Sequence, residues 1–155
     1  MIIRKATKED LDGVNSLLYQ VQAIHAAGRP DLFKKGAKKY TDEEIIALMN
    51  DEKTPIFIYV DGGKVLGYSF CSLQQHLNSN SLTDIKTLYI DDLCVDENAR
   101  GQHIGKALYD FTVNFAREQG CYNLTLNVWS LNESAQKFYD RLGMKPQKVG
   151  MEQIL

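Results

Sequence analysis

The sequence has little cysteine, little proline and no long hydrophobic run: three Cys and three Pro in 155 residues. Cys71, Cys94 and Cys121 form an odd set without CxxC spacing, which argues against a disulfide framework or a zinc site. Buried free thiols in a reducing cytoplasm are the plain reading, with a cysteine nucleophile as the alternative. No stretch approaches the roughly 18 apolar residues of a spanning helix, and the opening MIIRKATKED lacks the apolar core of a signal peptide. A cytoplasmic protein away from membranes is therefore expected. Charge of one sign is also scarce. A net charge of −2 gives no electrostatic basis for binding nucleic acid. Internal repeats, low-complexity tracts and linker-like composition shifts are missing too, so one domain over residues 1–155 is expected.

What is present is ordinary globular patterning, with 44% apolar and 25% charged residues. Met1–Ala6 reads as a short strand, and Thr7 with Asp10 as a capping box opening a helix. Leu11, Val14, Leu18 and Val21 continue that helix at its period, and it ends near Gly28 because Pro30 disfavours helical geometry before it. GRPDLFKKGAKKY is basic and irregular, and the run KKGAKK reads as a solvated loop. Thr41 and Glu44 mark a second capping box, for a helix to about Asn50.

Two strands, Pro55–Val60 and Lys64–Leu73, flank the hairpin signal Asp61-Gly62-Gly63. The polar segment HLNSNSLTD follows as a loop, then a strand over Lys86–Val95. Ile104, Ala107, Leu108, Phe111 and Phe115 make a helical stripe stopped by Gly120. Leu124, Leu126 and Val128 alternate as a strand, and Ser130 with Glu133 reads as a third capping box for a helix to Leu142. The tail KPQKVGMEQIL is expected to add one or two last strands. A helix joining Lys86–Val95 to Asn123–Val128 makes those two strands parallel, so the fold class is α/β with a mixed sheet.

The loop VDENARGQHIGKALYDF leads from a strand into a helix N-terminus, a natural anion site because the first helical N–H groups lack partners and the dipole favours negative charge. Arg100 and Lys106 add positive charge, and glycine permits close backbone approach. Two nucleotide loops fail on inspection. Gly101 and Gly105 are too close for a Walker A loop, and Ala107 stands where it needs a hydroxyl. His103 breaks the dinucleotide fingerprint. A plain strand-to-helix turn with solvated charges remains open at this point.

RGQHIGKAL resembles motif A of the GNAT N-acetyltransferase superfamily, R/Q-x-x-G-x-G/A, with Arg100 and Gly105 matching and His103 departing from the middle glycine. NVWSLNESAQKFYDRLGMK resembles the second signature, N-x-x-A-x-x-F-Y-x-x-x-G-F, through Asn132, Ala135, Phe138, Tyr139 and Gly143. YIDDLCV resembles the strand before motif A, including that of spermidine/spermine acetyltransferases, and the opening MIIRKATKEDLDGV reads like a family N-terminus. The resemblance implies a GNAT-like mixed, mostly antiparallel sheet with a central parallel strand pair and about four flanking helices.

It further implies acetyl-CoA as cosubstrate, with no metal, and transfer of its acetyl group to a primary amine by direct attack. By the same resemblance, backbone groups of Leu93, Cys94 and Val95 pair with the pantetheine arm. Arg100, Gly101, Gln102, His103, Ile104, Gly105, Lys106 and Ala107 wrap the pyrophosphate, and Asn132 and Ala135 serve the coenzyme through the second signature. Main-chain N–H groups make the clamp, so His103 is expected to take a helical conformation and leave it intact. Tyr139 follows Asn132 by two helical turns and is the implied acid for the leaving thiolate; an ordinary tyrosine, with a pKa of about 10, is protonated at neutral pH.

Asp91 and Asp92, as neighbours on a strand, are expected on opposite faces, and either can bind the ammonium or relay its proton. His25, Arg29 and Phe33 are candidates for the acceptor surface, with Asp31 beside them. The acceptor is a small amine or, alternatively, a protein N-terminus or lysine; a non-catalytic acyl-CoA-binding module on the same fold is the rival class. A homodimer is the family's analogy.

Overall fold

A computed structural model describes residues 1–155. Its strands are β1 (Ile2–Lys5), β2 (Ile56–Asp61), β3 (Lys64–Gln75), β4 (Lys86–Val95) and β5 (Asn123–Leu126). The helices are α1 (Leu11–Gly28), α2 (Asp42–Met49), α3 (Ile104–Glu118) and α4 (Glu133–Arg141). Alternation along β2 explains the layering, since Ile56 and Ile58 face one side and Phe57 the other, and all three are buried. On the first side, Val14, Leu17 and Leu18 of α1 and Ile45 of α2 pack on Ile56, Ile58, Tyr68, Phe70 and Cys94. On the second, Ala116 of α3 packs with Phe57, Cys71 and Leu88. The first turns of α3 bury Ile104 and Leu108 against Ala99.

The sheet order is β1-β2-β3-β4-β5, antiparallel except for the parallel β4–β5 pair joined through α3. This is the mixed α/β class that the sequence indicates. The parallel pair lies at one end of the five strands because the tail stays out of the sheet. The expected final strands do not form: residues 144–155 carry no regular structure, and Val149, Met151 and Ile154 are exposed. An ion pair from Glu152 to Arg29 at 2.8 Å ties the end of the tail to the body.

Local chemistry explains most boundaries. Gly62 and Gly63 both adopt positive φ in the tight turn between β2 and β3. Thr41 and Glu44 make the expected reciprocal cap of α2. Thr7 and Asp10 also form their box, but around a 3-10 turn, Lys8–Asp10, with α1 beginning only at Leu11. Asp10 is occupied by Arg4, whose guanidinium donates to both its oxygens at 2.8 and 3.0 Å. The third capping box is corrected. Asn132, not Ser130, caps α4, its Oδ1 accepting from the Ala135 amide at 3.2 Å.

Strand β5 is shorter than its alternation suggests. Pairing with β4 runs from Thr87↔Asn123 to Ile90↔Leu126 and stops, and Asn127 instead donates its side-chain amide to the Tyr89 hydroxyl at 3.1 Å. Strand β4 continues to Val95, so Asp91–Val95 have no partner strand on that side. The two strands therefore part at the position that matters for the site.

Candidate active site

The opening between β4 and β5 is walled at its far end by the loop into α3. Asp96 starts that loop, accepting from the Asn98 amide at 3.0 Å, which holds its carboxyl below the usual carboxylate range. Gln20 of α1 donates to Asp96 at 3.4 Å and accepts from the Glu97 amide at 3.1 Å, fastening the loop to the body. Arg100, Gly101, Gln102 and His103 are exposed, and Ile104 buries its side chain as α3 begins. The first N–H groups of α3 lack intrahelical partners, as at any helix start, and so can serve an anion.

Gly101 and His103 both adopt left-handed backbone, with φ of 81° and 61°. The expectation of a helical His103 is thus corrected: it keeps the conformation a glycine would take. Histidine is among the side chains that enter this region most readily, at a cost of about 1 kcal/mol. His103→Gly is expected to raise stability by roughly 0.5–1 kcal/mol, read as a higher Tm, while changing acetyl-CoA affinity less than about threefold. A large gain in affinity would show that the ring obstructs the loop. Lys106 does not reach toward the loop; its ammonium pairs with Asp110 along the helix at 2.6 Å.

Close packing of two glycines sets the loop against the sheet and α4. A Cβ on Gly67 would lie 2.8 Å from Leu108 and 3.0 Å from the Cys94 carbonyl, so the glycine lets α3 approach β3 closely here. One on Gly105 would lie 3.2 Å from Phe138, the neighbour of Tyr139 on α4. The Tyr139 ring lies 6.5 Å from that of Tyr109 and 5.1 Å from that of Phe138. Burial first, then the negative field of Asp92 and the neighbouring Tyr109 and Cys94, pushes its hydroxyl well above the ordinary tyrosine range. Tyr139 therefore keeps its proton at neutral pH. Asn132 and Ala135 enter chiefly as the cap that positions this helix.

The expectation for the two aspartates is overturned. Phe70 pairs with Asp92 and Cys71 with Ile90, leaving Asp91 as the extra residue of a β-bulge. A bulge interrupts strand alternation, so both carboxylates lie on the α1/α2 face. Asp92 accepts the Tyr68 hydroxyl at 2.6 Å, Asp91 accepts the Tyr40 hydroxyl, and both tyrosine rings pack on Phe70. Burial pushes the Asp92 carboxyl up to about 6, and its hydrogen bond to Tyr68 partly opposes that shift. A carboxylate titrating there is ionised at neutral pH yet basic enough to accept a proton. A cavity of about 240 Å³ opens beside Asp91, lined also by Tyr40, Phe70, Ser72, Gln74 and Tyr89.

The candidates for the acceptor surface divide. His25 and Phe33 come together, ring centroids 4.8 Å apart, and the Trp129 ring joins Phe33 at 5.3 Å. Burial and the nearby Lys39 lower the His25 pKa. Arg29 is committed elsewhere, its guanidinium donating to Asp31 and Glu152 at 2.8–3.0 Å. The sequence points to the segment Ala23–Tyr40 for the acceptor walls without singling out Lys39 or Tyr40, and it gives no sign of Trp129 or Tyr68. Lys39 belongs to the run read as solvated, yet it reaches Asp91 at 3.0 Å, and Lys38 pairs with Asp42 and donates to Asn15 at 2.7 Å.

Cys71 also lines the cavity beside Asp91, and Cys94 lies on β4. All three cysteines are free, and burial pushes the Cys71 and Cys94 thiols up to about 12, which removes them as thiolate nucleophiles.

Known proteins bear on this geometry. The chain matches the Acetyltransferase (GNAT) family over residues 18–144. It is 28% identical over 147 residues to an uncharacterised N-acetyltransferase, MJ1207, of Methanocaldococcus jannaschii, covering 95% of this chain and 62% of that protein's length. A tetramutant of the BH1408 protein of Bacillus halodurans shares 35% identity and a TM-score of 0.95 over the whole of both chains. The aminoglycoside N-acetyltransferase AAC(6')-Iy in complex with CoA has the same fold, with a TM-score of 0.72 at 17% identity over 99% of this chain and 98% of that one. With the family match spanning most of its length, the chain belongs to the GNAT acetyltransferase family.

Proposed function

We propose that residues 1–155 act as one domain that moves the acetyl group of acetyl-CoA to a primary amine by direct attack. The observation that carries this reading is the parting of β4 and β5 beyond Ile90–Leu126, which leaves Asp91–Val95 unpaired on that side just before the loop into α3. The thioester supplies an activated acetyl group; the chain supplies position and protons. Backbone groups of Leu93–Val95 are available to an extended ligand lying along β4, and the loop Arg100–Ala107 presents helix N-terminal amides to a pyrophosphate. Fold similarity to a protein with bound CoA supports that placement.

Asp92 takes the proton from the acceptor ammonium, which frees the nitrogen lone pair. The Cys94 or Val95 amide donates to the oxygen on which charge develops. Tyr139 then gives its proton to the departing sulfur as the N–C bond replaces the C–S bond, and the proton that the new amide nitrogen sheds restores the Tyr139 hydroxyl. The cavity beside Asp91, about 240 Å³ with Tyr40 and Tyr89 in its lining, has the size for a small amine. Free buried thiols fit a reducing compartment such as the cytoplasm.

The reading is tested by following free CoA thiol from acetyl-CoA with a panel of polyamines, aminoglycosides, amino acids and N-terminal peptides. Amine-dependent release supports it. Release that is indifferent to amine, or none with any acceptor, rejects it.

A further inference from the structure

We infer that Lys39 is a tethered ammonium occupying the acceptor's cation seat on Asp91, so that a cationic acceptor binds by displacing it. This rests on the reading of the neighbouring cavity as the acceptor site, and it names the acceptor class: an alkylammonium with no anionic group beside the amine.

The seat is built from fixed parts. Asp91 stands out of the β4 ladder on the bulge, its side chain only 22% exposed, and accepts the Tyr40 hydroxyl. Tyr40 is itself held by stacking on Phe70, with centroids 5.7 Å apart and planes within 3°. Carboxylate, phenol oxygen and aromatic face together recognise an alkylammonium. Lys39 supplies one: its Nζ lies 3.0 Å from Asp91 Oδ1 and 5.5 Å from the Tyr40 ring centroid.

The occupant, unlike the seat, can leave. Lys39 is 47% exposed, lies outside regular structure, and hangs on a flexible stem. Ion pairs with one partner this exposed are weak, so a free ammonium of modest affinity competes for the carboxylate. The vacated lysine moves into solvent, and the incoming ammonium lies one strand residue from Asp92, the proposed base. An acceptor carrying a carboxylate or phosphate beside its amine meets the repulsion of both aspartates.

Calorimetric titration of butane-1,4-diamine into wild type, Lys39→Met, Lys39→Arg and Asp91→Asn, without acetyl-CoA, tests this. Removing the internal competitor is expected to tighten diamine binding about fivefold in Lys39→Met, while Lys39→Arg stays near wild type. Asp91→Asn is expected to lose binding, and the neutral butane-1,4-diol to bind none of the four. Equal or weaker binding by Lys39→Met, unchanged binding by Asp91→Asn, or no diamine binding to any of the proteins overturns the inference. Because no turnover is read, the seat and the acetyltransfer reading fail separately: the predicted binding pattern without amine-dependent CoA release sinks only the latter.

Discussion

Replacing Tyr139 by Phe is expected to lower kcat by about 10²–10³-fold while acetyl-CoA affinity stays within about twofold. The substitution removes one oxygen and keeps the ring that packs near Phe138 and Tyr109. Only the proton for the departing sulfur is lost. Tyr139 suits that role because burial and the field of Asp92 both oppose its ionisation, so it holds its proton through the neutral range. Steady-state kinetics with calorimetric binding of acetyl-CoA separates the two effects. Parallel losses in kcat and affinity would reduce Tyr139 to a packing residue.

Asp92→Asn is expected to change activity and stability in opposite directions. A carboxyl raised to about 6 in the folded protein, against about 3.9 unfolded, binds its proton more readily when folded. Between those values the folded state holds more protons, so this group's contribution to stability is greatest at low pH and falls as pH rises through about 6. Above that, the chain carries a half-buried negative charge whose ionisation costs folding energy. The amide has no such charge and retains an oxygen for the Tyr68 hydroxyl. At pH 7 the variant is expected to be more stable by about 1–2 kcal/mol, with the gain vanishing near pH 4. Its kcat/KM is expected to fall about 10²-fold or more and to lose the limb that rises near pH 6. Denaturant melts and pH–rate profiles of both proteins read these changes. Destabilisation at pH 7, or a retained limb near pH 6, would remove Asp92 from the base role.

Most of the architecture was legible because it rests on local periodicity and turn chemistry. The stripe from Ile104 to Phe115, the Gly62-Gly63 turn and the Thr41–Glu44 box specify α3, the β2–β3 turn and α2 from neighbouring residues alone. The tail misled because its scattered apolar residues can suggest strands, yet Val149 and Met151 find nothing to pack on. The two motifs fall where the sequence put them, on the loop into α3 and on α4, which carries Tyr139. The acceptor side was less legible.

Alternation predicts opposite faces for Asp91 and Asp92, and only the register against Phe70 and Cys71 reveals the bulge that joins them. Lys39 carried no signal at all, since a lysine in a basic run looks the same whether it is solvated or folded back across about fifty residues of sequence onto Asp91. His103 showed a partial signal: its place in the glycine motif marked a backbone requirement, which the structure identifies as left-handed.

The central claim is that an acetyl group passes directly to an amine in the opening between β4 and β5. Mass spectrometry of protein and amine after mixing enzyme, stoichiometric acetyl-CoA and an amine identified by the thiol-release panel tests it most directly. The account predicts acetyl on the amine, at a rate that rises with amine concentration, with the protein's mass unchanged throughout. Acetyl carried first on the protein and then passed on, or lost to water at a rate indifferent to the amine, would contradict it.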